Sequence, residues 1–470
     1  MDNSVGTSPV PKNMRTFLVI WAGQLISILG SGLTGFGLGV WIFTRTGQAT
    51  PFALTALFAN LPRVILSPFA GSIADRYNRR RILILADTGA ALVTLGAVLV
   101  LFFGDLQVWH IYVIAFMGSV FGAFQTPAYQ ASITMLVPKK DLTRAAGLQQ
   151  SGEAIQVILT PILAAALYGL VGLTGLMVID FISFFFAVGA LLLVHIPQPK
   201  PTTQTEAAGT RPSLLRDAVF GWNYVRQRPG LFWLLWYFAA VNFFLNISGV
   251  LWGPLVLSFG SPQDLGLVQM SGGLALLLGG VLISAWGGPK NRKVWLLIAV
   301  IALSGFGYLI AGSRPATTVV AAGLGVLLFF IPMASALSQA VWQLKVAPDI
   351  QGRVFSIRSM IAWSILPLSN LLAGPFADRV FVPMLEPDGF LADTFVGALI
   401  GTGPGRGIGL MMIFSAVALW VLSALIFTNP RVRNVEAELP DAIVEPAEVA
   451  EEKVSAGEAL PAPAGVPSVD

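Results

Sequence analysis

Four ionisable residues stand inside long apolar stretches of this 470-residue chain: Arg63, Asp87, Glu153 and Asp180. A charge at membrane depth is expensive, so each of the four is a functional candidate by default. A carboxylate in a poorly solvated cavity can take up and release a proton as the cavity opens to one side and then the other. Glu153 and Asp180 suit that work best. A structural alternative stands beside it, in which Arg63 pairs with one carboxylate merely to cancel a buried charge. For Asp87 the structural reading is favoured, because near the end of its stretch it can reach water or the neighbouring basic loop. Neutral polar groups that could line a cavity are Gln24 and Gln125 in the first half, and Asn242, Asn246, Gln269, Gln339 and Asn370 in the second. The charged set lies wholly in the first half, which points to proton coupling there and to cavity shaping in the second half.

Other chemistries find no residues to work with. None of the eight lysines follows a glycine, so there is no phosphate-cradling loop and no ATPase site. The chain has no cysteine and only two histidines, His110 and His195, too few for a metal cluster. No cofactor is expected. A membrane enzyme lacks a nucleophile or metal constellation, and the basic excess is better explained by topology than by nucleic-acid binding.

The elements that must hold these residues follow from composition. Hydrophobic residues make up 55% of the chain and charged residues 11%, a balance that only lipid can solvate at this length. The first apolar stretch, Phe17 to Phe43, exceeds the apolar part of a cleavable signal. Twelve stretches of spanning length follow one another: about 17–43, 51–74, 82–103, 108–136, 142–170, 172–195, 231–259, 264–287, 293–312, 316–343, 351–380 and 407–428. Of the 28 lysines and arginines, 23 fall on one face. Only Arg45, Arg314, Arg379 and Arg406 fall on the other, with Arg63 inside a span. By the positive-inside rule both termini are cytoplasmic.

The spans divide six and six, giving an all-α membrane protein with two pseudo-symmetric six-helix bundles, 17–195 and 231–428. Pro138, Asp141 and Arg144 before the fifth span echo Pro348, Asp349 and Arg353 before the eleventh. Residues 1–16 form a cytoplasmic N-terminal tail. Residues 196–230 form a cytoplasmic linker whose second part places Leu214, Leu215, Ala218, Trp222 and Val225 on one face of a helix. That helix either lies on the inner leaflet or is an ordinary linker helix. From Asn434 onward nine acids face a single lysine, and residues 429–470 read as a disordered acidic tail. Gly35 with Gly39, and Gly118 with Gly122, lie one helical turn apart, a spacing that suits close helix packing.

One charged block stands out between the second and third spans: Gly71, Asp75, Arg76, Arg79, Arg80 and Arg81 within eleven residues. Gly, three residues, Asp-Arg, two residues, Arg-Arg resembles the signature between helices 2 and 3 of the major facilitator superfamily of transporters. Asn60-Leu61-Pro62-Arg63, the turn from Val137-Pro138 to Leu142, and Gly221 to Val225 resemble its drug and natural-product exporter branch, which includes macrolide and enterobactin exporters. The resemblance implies that Gly71 lets the second span sit against the eleventh. It also implies that Asp75 engages the positive N-terminal end of the eleventh as an inner-gate latch, with Arg353 as an added partner. Arg76, Arg79 and Arg80 belong to that motif, whereas Arg81 serves topology alone.

Three departures matter. The matching loop Gly287 to Lys293 has no Asp, and the antiporter signature of helix 5 survives only as Thr160-Pro161 before Ala164 and Ala165. Ala373 to Arg379 repeats the spelling of Ala70 to Arg76 at the far face, where it reads as a helix end. The expectation is a multi-pass transporter of the plasma or inner cell membrane, acting as a monomer among membrane lipids. It exports an amphipathic small molecule (drug, macrolide, siderophore or other natural product) by alternating access, in exchange for protons. The competing expectation is a lipid or metabolite transporter without proton antiport.

Overall fold

The computed structural model describes residues 14–138, 141–194, 214–289, 291–347 and 350–439, which contain helices and no strand. In order the helices are α1 (Met14–Thr46), α2 (Ala49–Arg76), α3 (Arg79–Phe103), α4 (Val108–Leu136), α5 (Leu142–Leu193), α6 (Leu214–Arg226), α7 (Pro229–Gly249) and α8 (Trp252–Leu257). Then come α9 (Pro262–Trp286), α10 (Lys293–Ser313), α11 (Thr317–Lys345) and α12 (Gln351–Phe376). A π-helical turn, Ala377–Phe381, follows, and then α13 (Val382–Met384), α14 (Phe395–Ile400), α15 (Arg406–Thr428), α16 (Pro430–Arg433) and α17 (Val435–Glu438). Eleven stretches of helix among the described residues are long and apolar enough to cross a membrane. Hydrocarbon offers no partner to a backbone amide or carbonyl, so each run satisfies its own by coiling.

The expected twelve passes are recovered because α5 makes two. Its 52 residues contain one non-helical position, Gly172, at φ 65 and ψ −171, a left-handed conformation that a side chain would strain. The chain reverses there. Trp21 Nε1 on α1 donates to Leu148 O at 3.0 Å, and a Cβ on nearby Gly23 would meet Phe186 O, so both limbs of α5 lie beside one turn of α1. Helix ends elsewhere are fixed by local caps. Asn78 accepts from Arg81 N at the start of α3, and Ser261 with Asp264 forms a reciprocal capping box at the start of α9.

Two bundles result. In the first, Phe17, Leu83, Leu136, Ala145, Leu191 and Val194 cluster at the face from which the linker leaves, here termed the linker face. A second, continuous core centres on the second bundle, from Val225 and Leu231 to Val435, and reaches Val40, Ala49 and Ala53 of α1 and α2. The closest cross-bundle approaches involve α2 with α12, α5 with α9, and α8 with α1 and α2. A Cβ on Gly374 would lie 2.3 Å from Thr50 Cα, one on Gly266 2.9 Å from Pro161 O, and one on Gly253 2.6 Å from the Phe52 ring.

One sequence expectation is corrected here, and one left open is narrowed. The tail is not disordered from residue 429. Val432 and Val435 are fully buried, Glu436 Oε1 accepts from Val294 N at 2.9 Å, and Lys345 Nζ donates to Glu436 O at 2.7 Å and to Leu439 O. Residues 430–439 therefore strap the linker face of the second bundle, where the apolar side chains of α16 and α17 complete its core. The remainder of the tail, 440–470, lies outside the described residues, as do most of the linker and the N-terminal tail. The linker helix α6 docks on protein rather than on lipid alone. Val225 is buried, the Trp222 and Phe232 rings sit 5.9 Å apart, and a Cβ on Gly221 would meet Arg353 O.

Candidate functional site: a carboxylate-lined cavity in the first bundle

Helices α1 to α5 enclose a cavity of about 460 Å³ whose wall includes Arg63, Asp87 and Asp180. Every lining residue comes from the first bundle. The space exists because the wall is built from small residues. Gly35 and Gly118 have nothing within 4 Å of where a Cβ would stand, while Gly39 faces the Phe52 ring and Gly122 faces the Arg63 guanidinium. The glycine pairs expected to pack helices together instead hollow them out, because each lies on the cavity side of its helix.

Asp180, on the second limb of α5, is 7% exposed. Ser31 Oγ donates to its Oδ1 at 3.1 Å and Thr94 Oγ1 to its Oδ2 at 3.3 Å. Small neighbours admit it: a Cβ on Gly30 would collide with Ser183, whose hydroxyl donates to Asp180 O. Asp87, on α3, is 5% exposed. Gln24 Nε2 donates to its Oδ2 at 3.0 Å, Gln125 Nε2 donates to its Oδ1, and Gln125 Nε2 also reaches Gln24 Oε1 at 3.1 Å. Both carboxylates are thus ringed by neutral donors. Arg63 is exposed on the same wall and makes no hydrogen bond or ion pair among the described residues. An anion held this way has no neutralising cation among the described residues, a role that a proton or a positively charged group in the cavity could fill.

This geometry rearranges the expected set. Asp87 does not reach out to the basic loop, since its helix position turns it inward onto Gln24 and Gln125. Glu153 is exposed, makes no hydrogen bond or ion pair among the described residues, and is absent from the cavity wall. It lies one turn before Val157, on the stretch of α5 that faces α9, where the carbonyl of Val157 would be 3.3 Å from a Cβ on Gly273. Arg63 does not cancel a buried carboxylate by pairing with it.

Of the neutral candidates, Gln24 and Gln125 are brought together at Asp87, and those of the second bundle are scattered. Asn242 lines a small cavity of about 70 Å³ with Trp342 and Arg358. Gln339 Oε1 accepts from Arg358 Nη1 at 3.0 Å, and Asn246 Nδ2 donates to Asn242 O one turn back on its own helix. Asn370 is buried, and Gln269 is half-buried. Sequence reasoning counted Arg358 among the loop cations. In the fold it lies two turns into α12, where Ser338 Oγ also accepts from it at 2.8 Å. Arg406, expected on the open face opposite the linker, is 2% exposed and donates to Gly312 O and Ser313 O at the end of α10. A cation at a helix C-terminus is favourable there.

In the charged signature, Arg79 Nη1 donates to Ala131 O at 2.8 Å, and Arg80 donates to Leu191 O at 2.7 Å and Leu192 O at 2.8 Å. These bonds tie the start of α3 to the ends of α4 and α5 within one bundle. The side chains of Asp75 and Arg76, and the surroundings of Gly71, lie outside the described residues. Arg353 sits over the Phe220 ring of α6 at 5.1 Å.

Comparison with known proteins places these features in context. The sequence pattern of the Major Facilitator Superfamily matches residues 20–369. Macrolide efflux protein A of Streptococcus pyogenes is 30% identical over 373 residues, covering 78% of this chain and 90% of its own. The multidrug efflux pump Tap of Mycolicibacterium fortuitum is 24% identical over 372 residues, covering 77% and 89%. Among solved structures, a bacterial homologue of the human lysosomal transporter Spinster, inward-facing and unoccupied, superposes with a TM-score of 0.67 at 15% identity, covering 93% of this chain and all of its own. The nucleoside transporter NupG superposes with a TM-score of 0.63 at 15% identity, covering 88% and 100%.

Proposed function

Because the chain belongs to the Major Facilitator Superfamily, and is therefore a multi-pass membrane transporter rather than an enzyme, we propose that it exports an amphipathic, positively charged organic molecule in exchange for protons. The observation that carries this reading is the pair of buried carboxylates, Asp87 and Asp180, ringed by neutral donors on the wall of one cavity. Each carboxylate needs a positive partner at that depth. A proton and a cationic substrate are alternative partners, and exclusion of one by the other is the essence of antiport. Arg63, with no ion pair among the described residues and on the same wall, repels a cation and favours its departure once the carboxylates are protonated. The apolar remainder of the wall, with Ile28, Leu38, Phe52, Ile114, Phe121 and Phe184, suits the hydrophobic part of such a molecule.

The efflux relatives support the substrate class, and the basic bias of the linker face supports a cytoplasmic placement of both termini in the cell membrane. The test is substrate movement in proteoliposomes with and without a proton gradient. Asp180→Asn is expected to abolish gradient-driven accumulation while leaving the melting temperature of the purified protein unchanged. Transport by the unaltered protein that ignores the gradient overturns antiport and leaves a transporter without proton exchange, whose substrate is a lipid or metabolite.

A further inference from the structure

On the face opposite the linker the bundles touch through a charge. Helix α2 begins on the face opposite the linker without a cap of its own: its preceding residue, Gln48, makes no side-chain bond to the helix start. The first free amides of a helix need acceptors, and a buried helix end without them is costly. Here the acceptor comes from the other bundle. Asp378 Oδ1 accepts from Ala49 N at 2.9 Å, and its Oδ2 accepts from Thr50 N at 2.7 Å. The carboxylate therefore meets both the unpaired amides and the positive end of the α2 dipole.

The backbone is shaped to deliver it. Gly374, one turn earlier on α12, admits Thr50 so closely that a Cβ would lie 2.3 Å from the Thr50 Cα. Beyond Pro375 the helix widens into the π-helical turn Ala377–Phe381, which carries Asp378. The Phe52 ring fills the space just beneath, between Gly39 of α1 and Gly253 of α8.

The spelling of this segment gives it meaning. Ala373-Gly374-Pro375-Phe376-Ala377-Asp378-Arg379 shares five of seven residues with Ala70-Gly71-Ser72-Ile73-Ala74-Asp75-Arg76, which closes α2 at the linker face. We propose that Asp378 and Gly374 form a latch on the face opposite the linker, by which α12 caps α2. The resemblance noted for the linker-face signature implies the reciprocal arrangement there, with Asp75 of α2 toward the start of α12. On that reading each helix would hold the other's N-terminus, at opposite ends and in opposite phases of the cycle. The latch seen here closes the far face and must break before the cavity can open to that side. Asp378 is thus a positioning residue for transport and does not touch the substrate. The proposal rests on the alternating-access reading, but not on the coupling ion or the substrate.

The absence of cysteine allows a direct test, because introduced pairs carry spin labels without background. One pair, Asp105→Cys with Arg314→Cys, reports the separation of the bundles at the far face; both residues are exposed. Tyr77→Cys with Asn291→Cys reports it at the linker face, again at exposed positions. Distances are measured in Asp378→Ala and in Asp378→Asn, which keeps the shape of the side chain if the alanine variant does not fold. The expected result is a shift of roughly tenfold in population toward a longer far-face distance and a shorter linker-face distance, in line with the loss of two charge-assisted hydrogen bonds. The control Ser261→Ala, which removes a cap within one bundle, is expected to lower stability and move neither distance. Unchanged distributions in both Asp378 variants, or an equal shift in the control, overturn the latch and leave Asp378 as an ordinary helix cap. No substrate or gradient enters this measurement, so it stands or falls apart from proton antiport.

Discussion

The cavity wall of the first bundle and the seams of the second use glycine in opposite ways. In the first, Gly35 and Gly118 face empty space, and the missing side chains become cavity. In the second, glycines bring backbones together. A Cβ on Gly279 would lie 2.0 Å from Phe329 O, one on Gly312 2.3 Å from Gly409 O, and one on Gly307 2.5 Å from Gly323 O. Polar side chains divide the same way. The first bundle aims them at its cavity. The second spends them on its own seams: Tyr237 with Ser423 at 2.9 Å, Ser248 with Ser415 at 2.7 Å, and Trp420 Nε1 with Ala302 O at 2.8 Å. On the proposed function, one half binds and exchanges charge while the other moves as a packed body against it. A rocking mechanism needs both, since a lever that deforms cannot transmit a shift at the site.

The largest expected effect tests the chemical half. Asp87→Asn and Asp180→Asn each abolish gradient-driven accumulation in proteoliposomes, and retained accumulation in either variant removes that carboxylate from the mechanism. Gly279→Ala tests the packed half. Its new methyl group must push α9 and α11 apart, at a cost of about 1–3 kcal/mol, measured as a lower melting temperature in detergent. Gly118→Ala is the matched substitution in the first bundle. It meets nothing, so stability holds or rises by up to about 1 kcal/mol, while transport of the bulkiest substrates falls as the cavity shrinks. Equal destabilisation by the two alanines would erase the distinction between the bundles. Lys345→Met removes two bonds to the tail strap and is expected to cost about 1–2 kcal/mol, with earlier proteolysis after residue 429 and transport retained. The smallest effect is that of Glu153→Gln, expected to leave both transport and stability within error, because the carboxylate has no partner among the described residues and lies off the cavity wall.

The spans, their number and the basic face are written in the sequence because their causes are local. A run of about 20 apolar residues must coil to satisfy its backbone in lipid, whatever it later packs against. Arginines are costly inside the bilayer, so most of them mark the loops, with Arg63 and Arg358 as exceptions inside helices. The identity of the intramembrane charges was equally plain. Their direction was not, because a span apolar on every side carries no stripe that says which face turns to the cavity. Asp87 and Glu153 look alike along the chain. Only the rotation of α3 against α1 and α4 gives Asp87 its two glutamines, and only the placement of α5 against α9 leaves Glu153 outside. Asp378 shows the same limit at greater range. Its repeated spelling was visible, but the amides it holds lie more than 300 residues away on another helix. Sequence by itself determined what must cross the membrane and which charges it carries across. The tertiary structure decided which of those charges share a cavity and which hold two bundles together, since that depends on helix rotation and contact, which no local pattern encodes.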